Sequence, residues 1–187
     1  MSYIVISHLI KHTIGDFIND IDWDLDAMTI HDDPEWWTKK IANFSLTGRM
    51  YNGMNWLKER VLTRKYTDAM VEIRDLLLAY AEANDLDWGT MNYCIANLYR
   101  DGNDYIDWHV DHTRQRQVET KPIVNVSLGD SRIIEWRKIG EEKLEGGYLM
   151  ESGDVLVMYP EFQTLYEHKV PTVIGKNNRI SLTFRSY

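Results

Sequence analysis

The chain contains one cysteine, Cys94. No disulfide can form within it, and this usage fits a reducing compartment. It has no apolar run long enough to span a bilayer, so no membrane partner is expected. The opening stretch MSYIVISHLIKHTIGDF has no basic start leading into a long apolar core. No signal peptide is therefore expected, and the expected compartment is the cytoplasm. Positive charge is also scarce, with a net charge of −8. That excludes a general nucleic-acid coat, whose affinity comes largely from neutralising phosphates. Local basic clusters at Lys39-Lys40, Arg60 to Lys65, Arg114-Arg116 and Arg137-Lys138 still permit nucleic acid as a local ligand. There is no internal repeat, low-complexity tract or linker.

Hydrophobic content of 44% and seven tryptophans are enough to fill a core, and 187 residues correspond to one domain. Thr13 to Asp22 opens with a capping-box pair, Thr13 and Asp16, ahead of apolar Phe17, Ile18 and Ile21, which predicts a short helix. From Thr67, the run TDAMVEIRDLLLAYAEAN places Met70, Ile73, Leu77 and Tyr80 on one helical face. Residues 31 to 60 lack clear periodicity and read as long loops with short strands. After Asn84 the pattern turns to short β-rich runs, among them TMNYCIANLYR, KPIVNVSLG, RIIEWRK, GDVLVMY, LYEHKVP and RISLTFRSY. Short strands separated by turns predict a sandwich or barrel rather than βαβ units. The expected architecture is a mixed α/β (α+β) domain, with an α/β N-terminal portion packed on a C-terminal β-sandwich.

The stretch DYIDWHVDHT, Asp104 to Thr113, carries the densest chemistry. Read as a strand, it places His109 and Asp111 on one face, roughly 6.6 Å apart at Cα, with His112 opposite. A third ligand must come from elsewhere, and His168 in LYEHKVP is the candidate. Two histidines and a carboxylate suit Fe(II) with open positions, as an oxygenase needs. The same ligands also suit a hydrolytic zinc, and the triad alone leaves both open. In RISLTFR, Arg179 and Arg185 share a strand face with Ser181 and Thr183. Two inward guanidiniums are costly unless paired, and a dicarboxylate offers a partner to each. Asn97 and Tyr99 share a face of the NLY run and could orient such a ligand.

The segments NLYRDGNDYIDWHVDH, PIVNVSLGDSRIIEWR, SGDVLVMYPEFQTLYEHKVP and RISLTFR together resemble the AlkB family of Fe(II)- and 2-oxoglutarate-dependent dioxygenases. The likeness runs in order from about Asn92 to Phe184, roughly half the chain. It implies a double-stranded β-helix (jelly roll) core over 89–187, with N-terminal helices and a nucleotide-recognition lid within 1–88, as a single domain. It implies His109, Asp111 and His168 as iron ligands. Arg179 with Tyr99 would hold the distal carboxylate of 2-oxoglutarate, and Arg185 with Asn97 the carboxylate beside the keto group. Ser181 stands where many members have asparagine.

The implied cofactor is Fe(II), with 2-oxoglutarate and O2 as cosubstrates. The implied reaction decarboxylates 2-oxoglutarate to succinate and CO2 and oxidises an N-alkyl group, which leaves as formaldehyde. The implied partners are methylated DNA or RNA bases, single-stranded or flipped from a stack, acted on by a monomer. On the substrate side, TGRMYNGM resembles the family's lid segment, with Arg49 and Tyr51, although Gly48 replaces the usual proline. Trp36, Trp37 and Phe44 are further stacking candidates, and Trp136 could line the pocket or pack the sandwich. His112 and Thr113 stand where repair members are often acidic, and Thr113 cannot counter a cationic base. Two alternatives are the same iron chemistry on a protein side chain or small molecule, and a non-catalytic jelly-roll binding module. The intact His-Asp-His and Arg-Arg sets argue against the second.

Overall fold

A computed structural model describes residues 2–21, 23, 40–47, 63–111 and 120–186. The strands are β1 (Tyr3–Ile6), β2 (Lys40–Ser45), β3 (Thr63–Lys65), β4 (Tyr93–Tyr99), β5 (Ile106–His109), β6 (Ile123–Gly129), β7 (Arg132–Lys138), β8 (Leu144–Met150), β9 (Val155–Met158), β10 (Tyr166–Val170) and β11 (Arg179–Arg185). The helices are α1 (Gly15–Ile18), α2 (Asp68–Ala83) and α3 (Pro160–Leu165). The strands form a seven-stranded sheet ordered β1-β9-β6-β11-β4-β2-β3 and a four-stranded sheet ordered β5-β10-β7-β8. The two sheets are the layers of a jelly roll. Its major sheet draws β1, β2 and β3 from the N-terminal half, so the sandwich does not begin at residue 89.

Strand alternation sorts the major sheet into two unlike faces. Ile180, Leu182 and Phe184 of β11, with Val124, Val126 and Leu128 of β6, join one apolar cluster with Met70, Ile73 and Leu77 of α2. Their neighbours Ile123, Leu156, Met158 and Tyr99 join a second cluster with Ile106, Ile134, Trp136 and Val170 of the minor sheet and Phe162 of α3. The polar residues of β11 belong to this second, inner face. They are buried there: Arg179 is 0% and Arg185 5% exposed.

Helix α2 starts where expected, with the Thr67 hydroxyl accepting from the Met70 N–H at 3.3 Å. Its fully buried stripe ends on Ala81, while Tyr80 is half-buried and stacks on Trp88, ring centroids 5.8 Å apart. Helix α1 is a single turn, shorter than the predicted span, since Asn19 and Asp20 are weak helix formers. The Thr13–Asp16 pair does form: the Asp16 carboxylate accepts from the Thr13 N–H at 2.6 Å. Cys94 lies in the core, and burial pushes its thiol well up, so it is no nucleophile. Among the described residues, no helix is long and apolar enough to cross a membrane.

Candidate active site

His109 and His168 are cross-strand partners on antiparallel β5 and β10, their ring centroids 4.3 Å apart. Asp111 lies two residues past His109, beyond the end of β5. It therefore reaches the histidines from a loop and not, as strand alternation predicted, from the same strand face. The Asp111 carboxylate stands 3.9 Å from His109 Nε2 and 3.6 Å from His168 Nε2. One ligand atom from each of the three falls within 4.8 Å of the others, a spacing that can surround a single metal ion.

Each member of the group is held from outside. His109 Nδ1 lies 2.7 Å from the Asp107 carbonyl. The carbonyl can only accept, so Nδ1 carries the proton and Nε2 offers its lone pair to the cluster. The Asp111 N–H donates to Gln163 Oε1 at 2.9 Å, fixing the loop against α3. Arg185 Nη2 donates to Asp111 Oδ1 at 2.8 Å. Burial raises the Asp111 carboxylate, but Arg185, then His168 and His109, outweigh it and hold it well below the usual carboxylate range. Asp111 is thus an anion at neutral pH, as a ligand to a hard cation must be.

The geometry around Gln163 carries a prediction. Gln163→Ala leaves the three donor side chains intact but frees the loop that aims Asp111. Outer partners of metal ligands are typically worth 10–100-fold in affinity, so Mn(II) binding should weaken by about tenfold in an electron paramagnetic resonance titration.

A second polar centre lies on the same inner face. Arg179 Nε donates to Ser127 Oγ at 2.9 Å, and the guanidinium carbon lies 5.2 Å from the Tyr99 ring centre. Its Nη1 and Nη2 are buried with no hydrogen-bond partner. Burial lowers the guanidinium to about 10, still charged at neutral pH, so a desolvated cation presents two unused donors. Such a group fits a carboxylate ligand. Burial also pushes the Tyr99 phenol up to about 12, which keeps it a neutral hydrogen-bond donor. Asn97, Ser181 and Arg179 occupy one patch, since Ser181 pairs with Asn97 and Arg179 with Tyr99 across β11 and β4. A metal-ligand cluster and an unmatched guanidinium thus share one interior, joined along β11.

Of the substrate-side residues, Trp136 lies in the inner cluster, 7% exposed, its ring 4.9 Å from Tyr3 and 6.1 Å from Phe162. A Cβ at Gly146 would come within 2.8 Å of that indole, so the glycine makes room for it. Phe44 is 2% exposed in the helix-side core, away from the inner face. Arg49, Tyr51, His112 and Thr113, with Trp36, Trp37 and Gly48, lie outside the described residues.

Four residues that the sequence reading passed over belong here: Gln163, Ser127, Asn125 and Arg132. Arg132 is fully buried. It donates to the carbonyls of Asp101, Asp104 and Pro171 and lies 5.3 Å from the Tyr99 ring on its own account. It ties the β4–β5 turn to the end of β10, the two segments that bring His109 and His168 together. Period-two alternation in IVNVSLG and RIIEWRK places Asn125 with Ser127, and Arg132 with Ile134 and Trp136, on one strand face each, but does not by itself say that these faces point inward.

Residues 37–185 match the 2OG-Fe(II) oxygenase superfamily. The chain is 30% identical over 107 residues to the alpha-ketoglutarate-dependent dioxygenase alkB homolog 3 of Rattus norvegicus, covering 52% of this chain and 36% of that protein. The Homo sapiens protein of the same name is 31% identical over 107 residues, with 52% and 37% covered. The match thus spans a little over a third of these relatives' length. Among solved structures, OsALKBH1 superposes with a TM-score of 0.66 at 16% identity, covering 100% of this chain and 97% of that one. A Pseudomonas putida prolyl-4-hydroxylase superposes with a TM-score of 0.57 at 14% identity, covering 100% and 93%. Both likenesses are of fold.

Proposed function

Given that the chain belongs to the 2OG-Fe(II) oxygenase superfamily, we propose that it is a dioxygenase that oxidatively removes N-alkyl groups from nucleic-acid bases. The observation that carries the reading is the cluster of His109, Asp111 and His168 on the same inner face as a buried guanidinium with two unused donors. A hydrolytic zinc site has no use for that guanidinium; an oxo-dicarboxylate cosubstrate does.

In this proposal His109, Asp111 and His168 hold Fe(II). Arg179 and Tyr99 hold the distal carboxylate of 2-oxoglutarate, with Ser181 beside it, and Asn97 and Arg185 orient the end nearer the metal. When bound, iron with 2-oxoglutarate and O2 supplies the oxidising power for C–H hydroxylation. The chain's own residues keep the ligands aimed and the cavity dry. Arg185 and Gln163 hold Asp111 from two sides, and Asp107 sets the His109 tautomer. The inner apolar cluster walls the cosubstrate from water.

The nucleobase substrate is supported by the order of the AlkB-like motifs and by the alkB homologue similarity. The prolyl-4-hydroxylase likeness is the observation behind a second reading, hydroxylation of a protein side chain by the same centre. A panel of methylated oligonucleotides and peptides, with Fe(II), ascorbate and 2-oxoglutarate, separates the two by which additive raises succinate output.

Thr113 sets a further expectation. A hydroxyl at this position can hydrogen-bond a base but cannot neutralise one. Wild-type turnover of 1-methyladenine and 3-methylcytosine should therefore be weak relative to neutral N-methyl bases. Thr113→Asp should shift the ratio towards the cationic bases, by about 1–3 kcal/mol in competing rates. Competition within one short single strand, read by mass spectrometry, checks both statements.

A further inference from the structure

The amide of Asn43 on β2 has one end in use and one end idle. Its neighbours Ala42 and Phe44 join the helix-side core, so alternation turns Asn43 to the inner face. It is 3% exposed. The Tyr93 hydroxyl donates to Asn43 Oδ1 at 2.6 Å, which fixes the sense of the amide. Its Nδ2 is buried with no hydrogen-bond partner among the described residues. Burying an amide donor without a partner is costly, and folded proteins seldom do so unless something else meets it.

Asn43 is level with Ile95 of β4, and Ile95 with Thr183 of β11. Tyr93 is level with Arg185, the arginine that holds Asp111. The donor thus stands at the metal-ligand end of the inner face, two strands across from β11, about 10 Å by strand spacing. Tyr99, beside Arg179, lies four residues along β4 from Ile95, about 13 Å away. The idle amide is therefore outside the patch assigned to the dicarboxylate. Ile95 is half-buried in a strand whose other residues are all buried, so the inner face is accessible at the step between Asn43 and β11. A neutral donor there suits an uncharged acceptor, a carbonyl oxygen or a bare ring nitrogen, and is opposed by an N–H.

We propose that Asn43 is a specificity residue, donating from Nδ2 to the base brought to the metal cluster and favouring bases that offer only acceptors beside the alkylated nitrogen. Tyr93 is its positioning residue. This rests on the nucleobase reading above. 3-Methyluracil, with a carbonyl on each side of its methylated nitrogen, has such an edge; N6-methyladenine carries an N–H there. Both bases are neutral, so Thr113 does not sort them by charge.

The test is competition between two short single strands, one carrying 3-methyluracil and one N6-methyladenine, for the protein loaded with Mn(II) and 2-oxoglutarate, read by fluorescence anisotropy. Wild type should favour the 3-methyluracil strand. Asn43→Asp keeps the acceptor for Tyr93 but replaces the donor with an anionic oxygen. It should lower the ratio of affinities by about tenfold or more. Tyr93→Phe, which frees the amide to turn, should lower it less. Calorimetric 2-oxoglutarate affinity should stay unchanged in both, a split that general loosening of the site would not give. An unchanged strand ratio in folded Asn43→Asp protein overturns the assignment. If circular dichroism shows that Asn43→Asp does not fold, the double variant Asn43→Leu with Tyr93→Phe decides, since it removes both polar partners together; a wild-type ratio there overturns it. A wild-type protein that binds neither methylated strand more tightly than the unmodified strand overturns the nucleobase reading, and this assignment falls with it.

Discussion

His168→Ala should abolish the weak visible charge-transfer band expected when Fe(II) and 2-oxoglutarate are added together under anaerobic conditions, and with it turnover. His168 is one of only three donors drawn together among the described residues. It comes from β10, whereas His109 lies on β5 and Asp111 on the loop that follows, and it closes the site across the β5–β10 pair. Losing an outer partner of a metal ligand costs about 10–100-fold in affinity; losing a ligand itself should cost at least about 100-fold. The ring also packs 5.9 Å from Phe162, so the variant creates a small cavity, and circular dichroism is the control for folding. His112→Ala should retain the band. If the His112 change removed it and the His168 change did not, the ligand assignment would be wrong.

Arg179→Met should raise the apparent constant for 2-oxoglutarate by one to two decades while leaving the protein without cosubstrate at least as stable as wild type. The first half follows from a charge-assisted, two-pronged contact worth about 1.5–3 kcal/mol. The second half follows from the unpaired state of the guanidinium. Two of its nitrogens are buried without partners, and replacing an uncompensated buried charge with an apolar chain of similar length is often neutral or stabilising. Most ligand-binding side chains would not show both effects at once. Thermal melts without cosubstrate, beside kinetic titrations with it, separate this behaviour from a structural role. A variant that melts far below wild type but binds 2-oxoglutarate normally would contradict the dicarboxylate assignment. Arg185 should behave differently, because it already has an anionic partner in Asp111. Arg185→Ala should destabilise the protein without cosubstrate and raise the Asp111 carboxylate. Asp111 is depressed in the folded chain, so its stabilising contribution is present above the ordinary carboxylate pKa and fades as pH falls below it.

What was legible in the sequence follows the reach of local pattern. Alternation in RISLTFR is strict, so the partition of β11 into a helix-facing apolar row and an inward polar row could be read directly, as could the apolar face of α2. The pairing of His109 with His168 was legible only through the motif order, since their 59-residue separation has no local signal. Asp111 illustrates the limit of the strand rule. The ladder stops before it, and Gln163 and Arg185 aim the carboxylate in place of a β5 neighbour. Asn125 and Ser127 were hidden inside IVNVSLG because the run reads as an apolar strand. Their polarity has meaning only once β11 lies beside them in register. Arg132 was hidden for the converse reason: a single arginine at the start of a strand reads as surface. Here it is spent on three carbonyls from distant segments.

The most direct measurement of the central claim is the mass of a short single strand carrying one N-methylated base, before and after incubation with Fe(II), ascorbate, 2-oxoglutarate and air. The account predicts loss of the methyl group from at least one base type, with formaldehyde and succinate formed in matching amounts, and none of these with His168→Ala. An unchanged mass for every methylated base, with succinate output raised instead by a peptide or metabolite, would contradict it.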